Sequence, residues 1–98
     1  MVYKAGVVAL RIRIRAFGSF RRYLGREMVV EIAEGSSVED LLRELPEEAR
    51  RLALDDFGSI REDVNLLKGG QNVELLGGLG LMLQDGDDLS ILSAAVGG

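Results

Sequence analysis

The residues of this chain best placed to do chemistry are its last ones, Val96-Gly97-Gly98, reached through Ser93-Ala94-Ala95. A carboxylate is a poor electrophile until it carries a good leaving group. Joined to AMP as an acyl adenylate, its carbonyl accepts sulfur, a thiol or an amine. The adenylating enzyme would have to draw the chain end through a narrow channel to reach the nucleotide. Glycine lacks a β-carbon and permits that close approach, and the small Ala94 and Ala95 ease passage. Gly98 is therefore the expected reacting group, with Val96 and Gly97 as its tail. With 13 glycines in 98 residues, a closing Gly-Gly pair arises by chance about 2% of the time, so chance is a weak rival.

The other candidates are poorer. The chain has no Cys, His or Trp, which removes thiolates, imidazole bases and the usual zinc ligands. The acid pairs Glu47-Glu48 and Asp55-Asp56 read as solvated helix faces rather than acid/base or metal groups. Gly77-Gly78-Leu79-Gly80 lacks the Lys-Ser/Thr of a phosphate loop, so a tight backbone crossing is expected there. Asp85-Gly86-Asp87-Asp88 lacks the further oxygen ligands of a calcium loop and reads as an acidic turn. Arg11, Arg13 and Arg15 form a ladder suited either to a nucleic acid or to salt bridges with a neighbouring strand. The chain order favours the salt bridges, because few aromatic residues lie nearby. These exclusions leave no expected metal, bound cofactor, nucleic acid or membrane partner. With no apolar run near ~20 residues and arginines where a signal peptide needs apolar residues, a cytoplasmic location is expected. A chain so short of catalytic groups is expected to bind or carry something rather than act as an enzyme.

The elements that must position the tail are legible as periodicities. From Val8 to Phe17, Leu10, Ile12, Ile14 and Ala16 alternate with the three arginines, the period of a half-buried strand. Arg21 to Arg26 reads as a polar connection. A second alternating run sets Met28, Val30 and Ile32 against Glu27 and Glu31, so an antiparallel pair would bring glutamates to the arginine face. Ser36 and Glu39 fit a capping box, with Asp40 in the first turn. Val38, Leu41, Leu42 and Leu45 follow at helical spacing. Pro46 ends that helix or starts another running to Phe57, with Ala49, Leu52 and Ala53 inward. Strands are expected at Val64–Leu67, at Val73–Leu76 and from Leu89, with Leu92 pointing away from the core. The sum is an α+β domain, a helix packed on one face of a mixed sheet, spanning residues 1–98 with 93–98 as a flexible tail.

Three stretches also carry a resemblance: RIRIRAFGSFRRYLG, LLGGLGLMLQDGDDLSIL and the terminal AVGG. With them the chain resembles the MoaD-type small subunit of molybdopterin synthase and the archaeal ubiquitin-like small modifier proteins. The resemblance implies a ubiquitin-like β-grasp fold. It also implies that an adenylating enzyme of the ubiquitin-activating type uses ATP to activate Gly98, which becomes a thiocarboxylate. The large subunit of molybdopterin synthase would then accept the sulfur. Family carriers dock through an apolar patch at the sheet face and tail base; carried onto this chain, the candidates are Phe17, Leu79 and Leu92. Two alternatives stay open: a modifier joined through Gly98 to lysines of target proteins, and a β-grasp binding module whose Gly-Gly is incidental. The family's prolines before the terminal glycines are replaced here by Ser93-Ala94-Ala95.

Overall fold

A computed structural model describes residues 9–93. They form one five-stranded mixed sheet, with helices and turns on one face. The strands are β1 (Ala9–Ala16), β2 (Glu27–Ala33), β3 (Val64–Lys68), β4 (Gln71–Asn72) and β5 (Asp88–Ser93), in spatial order β2-β1-β5-β3-β4. β1 and β5 run parallel in the centre, and the other pairings are antiparallel. The helices are α1 (Arg21–Leu24), α2 (Val38–Arg43), α3 (Glu47–Ala53) and α4 (Val73–Leu76).

Alternation divides β1 as its sequence demands. Leu10, Ile12, Ile14 and Ala16 are buried, and Arg11, Arg13 and Arg15 are exposed on the opposite, helix-free face. The buried set joins Ile32 of β2, Val38, Leu41 and Leu42 of α2, Ala49 and Ala53 of α3, and Leu89 and Ile91 of β5 in one apolar core. No polar or charged side chain is buried among the described residues. The core therefore needs no internal polar network to satisfy.

Several local expectations are corrected. The connection after β1 is not purely polar: a 3₁₀ turn at Gly18–Phe20 runs into α1 and buries Phe20 and Leu24. The capping box belongs to Ser37 and Asp40, not to Ser36 and Glu39. Ser37 Oγ accepts from the Asp40 N–H at 3.3 Å, and Asp40 Oδ2 accepts from the Ser37 N–H at 2.9 Å. Ser36 is held outside the helix because its carbonyl accepts from the Leu83 N–H at 3.0 Å, next to the Ser37–Met82 bridge. α3 stops at Ala53 rather than reaching Phe57. Leu54 leaves to bridge Ile60, and Asp55 Oδ1 closes the turn by accepting from the Phe57 and Ser59 N–H groups.

Val73–Leu76 is a helical turn rather than a strand. Asn72 caps it by accepting from the Glu74 N–H at 2.8 Å, and Gly77 ends it at φ 134°. The Gly77–Gly80 run is not a close crossing either. A β-carbon at Gly78 or Gly80 would meet no atom within 4 Å. At Gly77 and Gly78 the residue type serves the positive φ that the chain reversal needs.

Candidate functional site

The described chain ends with β5, which holds the central place in the sheet. Ser93, the last described residue, lies opposite Val64 on β3; on the other side Ile91 pairs with Ala16 of β1. Two strands thus clamp the root of the tail. Val96, Gly97 and Gly98 lie outside the described residues.

Of the docking candidates, Phe17 and Leu92 come together. The Phe17 N–H donates to the Ile91 carbonyl at 3.0 Å. Continuing the parallel register one step beyond Ala16–Ile91 sets Phe17 beside Leu92 on the helix-free face. Phe17 is 39% exposed. Its ring is held beneath the Arg21 guanidinium, 5.3 Å from the centroid, while Arg21 Nε donates to the Ala16 carbonyl at 2.9 Å. Fixing the cation in this way makes the stack more than a passing contact.

Leu79 is placed elsewhere. It sits in the 3₁₀ turn Gly78–Gly80, which contacts α2 and α4, and packs against the core from the helix side. The sequence reading missed Leu67. On β3, Val64 and Leu66 are buried, so Leu67 turns to the helix-free face, opposite Ser90 and diagonal to Leu92. Its signal was present in the same alternation that assigned Leu92. Phe17, Leu92 and Leu67 thus make an apolar strip across three strands beside the root of the tail, a surface suited to a partner protein.

Beyond this strip the face is ionic. Arg15 meets Asp88 at 3.2 Å, Arg13 meets Glu27 at 3.6 Å, and Arg11 meets Glu31 at 3.7 Å. This is the salt-bridged sheet surface that the strand order implied. A shallow depression of about 250 Å³ lies between Arg15, Gly69, Gly70, Asp88 and Ser90. No cluster able to hold a metal ion occurs among the described residues. No helix among them is long and apolar enough to cross a membrane. Lys68, the one lysine among the described residues, holds its amine 3.6 Å from Asp87 Oδ1.

A mixed five-stranded sheet clasping helices on one face, with two parallel strands side by side at its centre, defines the ubiquitin-like β-grasp class. The small archaeal modifier protein 1 of Methanosarcina acetivorans has this fold in solution. It is similar to the present chain with a TM-score of 0.72 and 26% identity, covering 93% of this chain and 99% of that one. A Pyrococcus furiosus protein named as a candidate molybdopterin converting factor, subunit 1, is similar with a TM-score of 0.69 and 26% identity, covering 86% and 97%. Small archaeal modifier protein 3 of Haloferax volcanii is 33% identical over 92 residues, which is 91% of this chain and all of that protein. The ThiS family model matches residues 14–98, and the chain belongs to that family of small ubiquitin-like sulfur carriers and modifiers.

Proposed function

We propose that this protein is a sulfur carrier in molybdopterin synthesis and that its working group is the Gly98 carboxylate. The observation that carries this reading is the family match, which runs from Ile14 in β1 through Gly98 and so includes both the sheet and the Gly-Gly end. The likeness to the Pyrococcus furiosus protein supports molybdopterin as the destination. An adenylating partner would bind ATP, and the carboxylate would attack the α-phosphorus with loss of pyrophosphate. A hydrosulfide-level sulfur nucleophile supplied by a partner would then attack the acyl carbonyl, expel AMP and leave a thiocarboxylate. The chain's own part is to bind and to orient. Phe17, Leu67 and Leu92 dock on the partner, and β5, held between β1 and β3, sets where the tail enters it. The large synthase subunit accepts the sulfur. The folded body holds no cofactor in this scheme, and ATP belongs to the partner.

A second reading is favoured by a specific observation, the 33% identity to a protein named as a modifier. Here the same acyl adenylate, or a thioester formed from it, meets a lysine amine of a target protein and forms an isopeptide.

The test is the intact mass of the protein isolated from its own host with adducts retained, together with a map of the C-terminal peptide. Sulfur in place of one oxygen at Gly98 supports the carrier. Gly98 joined to lysines of other proteins supports the modifier. A bare carboxylate under every growth condition, with cofactor synthesis unharmed when Gly97 and Gly98 are deleted, sinks both readings and leaves a binding module.

A further inference from the structure

β2 ends the sheet on one side, and among the described residues its outer edge has no strand partner. It is seven residues long, Glu27–Ala33, and carries neither proline nor glycine. An edge of this kind is a template for strand addition unless its side chains forbid it. On the helix-free face it presents Glu27, Val29 and Glu31, with Val29 48% exposed. On the core side it presents Met28 and Val30, both only partly buried.

The charges on this face alternate from strand to strand: Asp88 on β5, arginines on β1, glutamates on β2. A strand that continues the alternation brings basic groups opposite Glu27 and Glu31. We propose that the outer edge of β2 receives an extended segment of a partner protein with basic, three apolar, then basic residues. Its two basic side chains meet Glu27 and Glu31, its central side chain covers Val29, and the two between lie against Met28 and Val30. Each carboxylate already faces an arginine of β1 at 3.6–3.7 Å on a half-exposed side chain, and its second oxygen can accept from the incoming cation.

A second copy of this chain does not fit the same edge. Antiparallel pairing of β2 with its own copy, centred on Val29, sets each Glu27 against the other Glu31. Parallel pairing in register sets like against like. Like charges directly opposite are destabilising in a sheet, so the glutamates repel self-association while selecting a basic partner. This docking edge is independent of what happens at Gly98.

The experiment is a ¹⁵N NMR titration of the full chain with the capped peptide Lys-Val-Ile-Val-Lys, and with Glu-Val-Ile-Val-Glu as its control. The expected result is shifts and slowed amide exchange confined to residues 27–33 and their β1 neighbours, with the basic peptide alone. The double variant Glu27→Gln/Glu31→Gln should bind about tenfold more weakly, following the size of cross-strand charge pairs. Its unbound spectrum shows whether it is folded, and added salt on the parent protein gives a second reading of the same interaction. Equal binding of both peptides, shifts centred on Phe17 and Leu92, or no binding at millimolar peptide overturns the proposal. Concentration-dependent shifts of β2 in the protein alone also overturn it, because the edge would then belong to a second copy.

Discussion

The two faces of β1 are built from one stretch of chain and serve opposite ends. Toward the helices, Leu10, Ile12, Ile14 and Ala16 have lost nearly all contact with solvent; away from them, Arg11, Arg13 and Arg15 stand exposed beside acids of β2 and β5. Burial of apolar area near 25 cal/mol per Å² makes the first face the source of stability. Exposed ion pairs contribute about 0.2–1 kcal/mol each at best, which leaves the second face nearly neutral for folding. The difference teaches where recognition can evolve. Residues on the helix-free face can change partners without unfolding the domain, and the apolar strip at the root of the tail lies on that face.

The sharpest break of this comparison uses one residue type on both sides. Phe20 is fully buried and Phe17, three residues earlier, is 39% exposed. Phe20→Ala should destabilise by about 3–5 kcal/mol, transfer and cavity costs together. Phe17→Ala should cost less than about 1 kcal/mol, most of it the lost stack with Arg21. Urea midpoints for the two variants measure both. Near-equal values would mean that the faces are not energetically distinct.

The next effect is local. Ser37→Ala removes the cap of α2 and should cost about 1 kcal/mol, whereas Ser36→Ala should cost next to nothing. Acid gives an independent reading. Hydrogen bonds from the Ser37 backbone and hydroxyl hold the Asp40 carboxyl below its ordinary value of 3.8. A lowered folded-state pKa means that this stabilisation is complete above the ordinary value and is lost as pH falls through the folded one. The Ser37→Ala variant should therefore lose less of its remaining stability than the parent as the pH falls below about 4. Parallel acid profiles would show that the Ser37 hydroxyl does not help to hold the carboxylate, which the backbone N–H would then hold alone.

Smaller again is the ionic ladder. A double-mutant cycle on Arg11 and Glu31 should give a coupling of about 0.2–1 kcal/mol that shrinks with added salt. A larger, salt-insensitive coupling would make the ladder part of the structural face after all.

How far the sequence carried the fold depended on whether one physical rule acted alone. The strands β1, β2 and β5 were legible because strict alternation has a single explanation when one face is buried. The capping box was ambiguous because Ser36 and Ser37 each precede an acid by three residues. The choice came from Leu83, a residue nearly fifty positions away that takes the Ser36 carbonyl. Val73–Leu76 was misread because four apolar-rich residues suit a short strand or a single helical turn equally, and only Asn72 and Gly77 mark its ends. Phe20 and Leu24 were hidden among arginines, whose polarity masked two core contacts. At the candidate site, Leu92 was accessible from alternation, whereas its neighbour Phe17 was named from resemblance. Leu67 was accessible by the same rule, while Leu79 came from resemblance and lies in the helix layer.

A small expected change in stability on the helix-free face is the most informative for function. Leu92→Lys replaces a half-exposed side chain on the helix-free face. The lysine stem can lie along the surface that Leu92 covered while its ammonium reaches water. The expected cost is below about 1 kcal/mol, smaller than that of any core variant. If the strip of Phe17, Leu67 and Leu92 docks the activating partner, the same variant should lose most of its Gly98 adenylation, read as pyrophosphate release with the host's own adenylating enzyme. Phe20→Ala supplies the converse: under conditions where it remains folded, it should be adenylated at close to the parental rate. A Leu92→Lys protein that is stable and fully adenylated would remove the strip from the docking surface. The partner would then have to read the tail alone, or a region outside the helix-free face.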